Sequence, residues 1–161
     1  MSSTTLFRAG LTTAIVDFLF ATALSVFAYG STFTRLWQGV ASVLIGARAF
    51  EGGAATTGLG IAMHVFVAFS WTAIFLLLIT RIPAFKRLLL SPGGSLKAAV
   101  LYGPCVWLVM SFIVIPTMTG GGWPTLTFRW WVQLLGHIPA VALPMALVAR
   151  SAAGEARGEK V

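Results

Sequence analysis

Four runs of about twenty mostly apolar residues dominate this chain, and that is the length a helix needs to cross the hydrocarbon core of a bilayer. They fall at about 11–29, 58–80, 96–115 and 130–149. The pieces between them are too short and too weakly polar to shield four such helices from water. Of the 161 residues, 58% are apolar and 9% are charged, against about a quarter charged in ordinary soluble domains. The expectation is a single all-α domain: an integral membrane bundle of four transmembrane helices.

The first run raises the alternative of a cleaved leader, with Arg8 as its basic end and Ala28-Tyr29-Gly30 as a cleavage site. The run is longer than a leader core and holds Asp17. Both features favour a retained helix.

The net charge of +7 does not point to nucleic acid, because the basic residues sit at the ends of apolar runs and form no wetted basic face. They set an orientation instead, since Lys and Arg are retained on the cytoplasmic side. With the N-terminus inside, the cytoplasmic pieces carry Arg8, Arg81, Lys86, Arg87, Lys97, Arg150, Arg157 and Lys160. The outer pieces carry Arg35, Arg48 and Arg129. Both termini are therefore expected in the cytoplasm, and the inner membrane is the expected location. Trp37, Trp123, Trp130 and Trp131 all fall at the outer boundary in this orientation, where indole rings settle. A tail over 151–161 is polar, rich in small residues and expected to fray. Cys105 is the single cysteine, so no internal disulfide forms.

The connection over residues 30–57 is long for so small a bundle. Phe33, Leu36, Trp37, Val40, Val43, Leu44 and Ala47 recur at helical spacing. The segment is too short to span, which predicts an interfacial helix over about 34–50, apolar face down. The loop from Pro116 to Arg129 contains Gly120-Gly121-Gly122 but lacks the lysine and helix of a phosphate loop. Ala54 with Gly58, and Thr56 with Gly60, predict a close helix–helix contact.

An ionisable residue inside a span is costly and so is a candidate functional group. There are three: Asp17, His64 and His137. Counted from the outer ends of their spans, the two histidines fall about 10 Å deep, so they are placed to share one site. Asp17 is expected nearer the cytoplasmic side, a third or more of the core away. On the last span Trp130, Gln133, His137, Val141 and Pro144 share a face, and Pro139 and Pro144 predict a distorted helix. The candidate polar site in the outer leaflet is Arg48, Glu51, His64, Gln133 and His137, with Asp17 as a separate intramembrane acid.

Several chemistries fit these residues. Each histidine alone makes an interhelical hydrogen bond. Together they form a site for a ligand, a lipid headgroup or a proton. They also suit a haem with two histidine ligands, Arg48 and Arg129 meeting the propionates. Zinc is weaker, Glu51 being the only further ligand. No nucleophile–base pair and no paired carboxylates occur. The reading is a binding or accessory protein and not an enzyme, with bis-histidine haem redox chemistry or proton- or cation-coupled transport as alternatives. The implied partners are the lipid bilayer and either a second copy of the chain or a larger membrane complex.

The stretch Gly46-Ala47-Arg48-Ala49-Phe50-Glu51-Gly52-Gly53, followed by Leu59-Gly60-Ile61-Ala62-Met63-His64, resembles a family of uncharacterised bacterial four-helix inner-membrane proteins. Gly136-His137-Ile138-Pro139-Ala140, with Pro144, looks like that family's last helix. The resemblance implies a bacterial inner-membrane bundle and carries no activity.

Overall fold

The computed structural model describes residues 2–158, and Lys160 lies outside them. Six helices follow one another, and no strand occurs among the described residues. Four are long and apolar enough to cross a membrane: α1 (Ser3–Ala28), α3 (Gly53–Arg81), α5 (Gly94–Thr119) and α6 (Phe128–Glu155). Two short helices lie between them, α2 (Phe33–Ile45) and α4 (Pro83–Leu90).

Each long helix begins or ends further out than its apolar run. Helix α1 starts eight residues before the run at Leu11, because the Ser2 hydroxyl caps it by accepting from the Thr5 backbone N–H. A serine at this position satisfies one of the free N–H groups of the first turn. At the other end, α6 continues as helix through residue 158, where the sequence suggests a frayed tail. Ala152, Ala153 and Glu155 are strong helix formers, and Ser151 Oγ donates back to the Leu147 carbonyl.

The four long helices close a ring. Helix α1 packs between α3 and α6, and α6 packs on α5. Tyr102 of α5 completes the circuit by donating to the Trp71 carbonyl of α3 at 2.7 Å. Near α4 the interior is apolar. Phe75 and Ile79 of α3, Leu89 of α4, Ala98, Tyr102 and Val106 of α5, and Met145 and Ala149 of α6 form one buried cluster. Arg150 locks this end: its Nη1 donates to the Leu89 carbonyl at 2.9 Å and the Ser91 carbonyl at 2.6 Å. The guanidinium thus satisfies the last carbonyls of α4, as a cation at a helix C-terminus does.

The opposite end of the ring carries α2. The interfacial helix expected over 34–50 is α-helical only over Phe33–Ile45, and a 3-10 turn covers Gly46–Phe50. Gly46, at φ 65°, ends the α-helix, a conformation that costs glycine nothing. Helix α2 is tied to α3, burying Trp37, Gln38 and Ala41. Gln38 donates to the Gly53 carbonyl at 3.3 Å and to Thr56 Oγ1 at 3.4 Å. Gly60 lies directly under the Trp37 backbone, so the small-residue stretch does bring two helices close together. Gly58 meets nothing. Of the four tryptophans expected at a boundary, Trp123 and Trp131 are exposed, but Trp37 and Trp130 are buried inside the protein.

Three of the long helices contain a π-helical turn: Leu24–Ala28, Met110–Val114 and Ile138–Ala142. The last begins right after His137 and contains Pro139, whose missing N–H makes the wider turn easy to adopt.

Candidate functional site

Asp17, His64 and His137 belong to one level of the bundle. Asp17 lies eleven residues from the Ala28 end of α1, His64 eleven from the Gly53 end of α3, and His137 nine from the Phe128 end of α6. At 1.5 Å per residue these are depths of about 14–17 Å. The histidines are deeper than the spacing of the apolar runs suggests, because α3 and α6 begin before those runs do.

Asp17 is the main correction. The sequence places it a third of the core away from the histidines. In the structure its Oδ2 is 3.7 Å from His64 Nδ1. The error comes from starting α3 at Gly58. With that helix starting at Gly53, His64 moves down to the level of Asp17. The acid that the sequence sets apart from the histidines is in contact with one of them.

The second nitrogen of His64 fixes the chemistry of this pair. Nε2 is 3.0 Å from the Ala14 carbonyl oxygen. A carbonyl only accepts, so Nε2 carries hydrogen and donates. A neutral ring protonated on Nε2 has a bare lone pair on Nδ1, and that lone pair would face the carboxylate. Attraction requires one more proton, on Nδ1 or on Asp17. At 3.7 Å the contact between Nδ1 and Oδ2 is one of charge and not a hydrogen bond. The side chains of His64 and Asp17 are 11% and 21% exposed, so the contact is largely shielded from water.

An aromatic wall surrounds the pair. Trp37 stacks on Phe18 with ring centroids 4.6 Å apart and planes 11° from parallel. The His64 ring meets Trp37 edge-on at 5.1 Å, and Phe33 packs edge-on against both Phe18 and Trp37. Helix α2 delivers Phe33 and Trp37 and so closes the pair off from the α2 end of the bundle.

His137 has different neighbours. Its Nδ1 donates to the Gln133 carbonyl one turn back at 2.7 Å, and its ring lies 5.0 Å from that of Trp107. A Cβ added at Gly103 would stand 2.6 Å from the His137 carbonyl oxygen. Gly103 thus lets α5 run against the backbone of α6 at this point. The two histidines are level but make no direct contact with each other. Asp17 lies on α1, the helix that packs between those carrying the two histidines. Phe20, three residues on, packs against Gly136.

The remaining predicted site residues stay apart. Arg48 and Glu51 are exposed in and after the turn that precedes α3, and α3 itself starts eleven residues before His64. Gln133 contributes its backbone carbonyl to His137, and its side chain is half-buried. Arg129 lies over the Tyr29 ring at 4.3 Å. Among the described residues no three His, Cys, Asp or Glu side chains gather where they could hold a metal, so Glu51 does not complete a zinc site.

Sequence reasoning missed Phe18, Trp37, Gln38 and Trp107. It also missed a group of buried polar atoms without hydrogen-bond partners: Thr13 and Thr22 Oγ1, Tyr29 OH, and Nε1 of Trp37, Trp107 and Trp130. Hydroxyls elsewhere in the long helices, such as Thr57, Ser70 and Thr72, bond back to their own helix. Thr13 and Thr22, one turn to either side of Asp17, do not. No family model matches the chain, and neither a curated protein nor a solved structure matches it.

Proposed function

We propose that this chain is a multi-pass membrane protein of the bacterial inner membrane, with both termini cytoplasmic, that binds a ligand at a proton-holding centre and catalyses no reaction. Its four long apolar helices support a membrane location, and its distribution of Lys and Arg supports the orientation. In that orientation α2 lies on the outer side, in the interface, and covers the centre from there.

The observation that carries this reading is the contact between Asp17 and His64. Two ionisable side chains in the middle of a bundle are expensive to keep there. An interhelical hydrogen bond worth about 1 kcal/mol needs only one neutral polar group on each helix. A carboxylate and an imidazole that together hold one movable proton exceed that need. His64 already uses both ring nitrogens, which makes it a poor axial ligand for haem, and His137 faces Trp107 instead of His64. The same contact favours a second reading, proton-coupled transport, in which α2 and the opposite end open the centre in turn.

A one-sided pH jump on proteoliposomes tests the first reading. Protonation beside Trp37 should change tryptophan emission when the outer pH changes, and Asp17→Asn should abolish the change. Emission that ignores outer pH, or that responds equally in Asp17→Asn, would contradict it. Steady proton flux that Asp17→Asn removes would decide for the transport reading.

A further inference from the structure

A cleft at the α4 end of the bundle has the size and the gradient of polarity of an amphiphile site. It opens between the first turns of α1 and the last turns of α3. Its volume is about 280 Å³, and Ser2, Ser3 and Leu6 line it together with Ala73, Leu77 and Thr80. We propose that this cleft seats one acyl chain of an anionic phospholipid, whose phosphate lies at the ends of the two helices beside Arg81. This lipid site rests on the membrane reading above and is independent of the Asp17–His64 contact.

The cleft follows from one change of residue along α3. Phe69 fills the space between the two helices, packing against Phe7 and Gly10. Ala73, one turn on and on the same face, is too small to do so, and the cleft begins there. A cavity of about 150 Å³ lined by apolar side chains takes up benzene, and this one is nearly twice as large. Its lining changes along the bundle axis. Ala73 and Thr80 are seven residues apart, about 10 Å of helix. Leu6, Ala73 and Leu77 are deep, and Leu76, 7% exposed, backs them. The hydroxyls of Ser2, Ser3 and Thr80 stand at the shallow end. An amphiphile with its polar end outward matches that order. A wholly polar guest would bury its own polar groups against leucine without partners.

The charge around the mouth selects the headgroup. Arg81 follows Thr80 directly and is exposed, as are Lys86 and Arg87 of α4 and Lys97 near the start of α5. None of the four forms an ion pair among the described residues. Glu155, exposed near the end of α6, is the one carboxylate described at this end of the long helices. A rim of unpaired cations favours a headgroup of net negative charge over a zwitterionic one, by about fivefold for each cation near the surface. The cations at the opposite end are engaged differently. Arg35 lies over the Phe50 ring and Arg129 over the Tyr29 ring.

The test uses the full chain in phosphatidylcholine proteoliposomes doped with a trace of photoreactive lipid. The probe carries a diazirine in the acyl chain of either phosphatidylglycerol or phosphatidylcholine, and labelled residues are located by mass spectrometry. Phosphatidylglycerol should label residues 2–6 and 73–80 at least about fivefold more than phosphatidylcholine does, and unlabelled phosphatidylglycerol should compete. Arg81→Gln should lower that preference about fivefold, whereas Arg35→Gln at the other end should leave it unchanged. Ala73→Phe should fill the cleft and bring the two lipids level there. Ala73→Leu serves the same purpose if the phenylalanine variant fails to give the native helical spectrum. Equal labelling of the cleft by the two lipids, or a preference that Ala73→Phe leaves intact, overturns the proposal. Competition by inorganic phosphate as effective as that by phosphatidylglycerol would mark a site for free anions and overturns it too. Labelling spread over all four long helices without preference for the cleft overturns the lipid site alone. Labelling of none of them overturns the membrane reading itself.

Discussion

The two ends of this bundle solve the problem of filling their interiors in opposite ways. Near α4, the buried cluster is aliphatic and aromatic, the one buried hydroxyl that bridges helices has its acceptor, and Arg150 closes the corner on two carbonyls. Toward α2, the interior holds an acid, two histidines and three indoles whose N–H groups meet no acceptor. A buried polar group without a partner is a net cost. The α4 end is therefore built for stability. The α2 end gives up stability for polar groups that remain available, which is the pattern expected where function and packing compete. Ser95 is the exception, a buried unpartnered hydroxyl near α4, and nothing in the structure explains it.

Substitutions at the two ends should separate along this line. The largest loss is expected at Phe75, which is fully buried and meets both Phe85 and Tyr102 edge-on. Phe75→Ala should cost about 4 kcal/mol, as truncation of a core aromatic does, measured by unfolding in a denaturing-detergent titration. An effect below about 1 kcal/mol would mean that the α4 end is not the stable one. Arg150→Ala removes two charge-assisted hydrogen bonds and should cost about 2 kcal/mol in the same titration. Arg150→Lys should recover only part of it, since a single ammonium cannot match the fork of a guanidinium.

Gly103→Ala tests the boundary between the two ends. The new methyl would push against the His137 backbone, at a cost of about 1–3 kcal/mol, and should disturb the Nδ1 environment of His137 in a nitrogen-15 spectrum. At the α2 end the sign should reverse. Trp130→Phe keeps a ring against Trp107 and Phe112 while deleting a buried N–H that bonds to nothing. It should leave stability unchanged or raise it by up to about 1 kcal/mol. A clear loss would show that this indole has an acceptor after all.

The long elements were legible because hydrophobic run length is a strong signal. The single level of His64 and His137 was legible for the same reason, since it depends only on counting residues. Asp17 was read as distant from the histidines because α3 begins at Gly53, five residues before its apolar run, in small residues that read as loop. The turn of α2 toward α1 and α3 could not be read at all. Its buried face includes Gln38, so a rule that turns apolar faces inward gives the wrong rotation. Tertiary contacts with Gly53, Thr56 and Gly60 decide it. Arg48 and Glu51 looked like site residues because they precede His64 in sequence, but about 16 Å of helix separates the two levels.

The most direct test of the proton-holding pair is the nitrogen-15 spectrum of His64 in bilayers, assigned by comparison with His64→Gln. Hydrogen should be found on Nε2, and the Nδ1 signal should shift in Asp17→Asn, because the acid beside it is lost. A His64 ring with bare Nε2, and with an Nδ1 signal indifferent to Asp17→Asn, would contradict the pair and the function built on it.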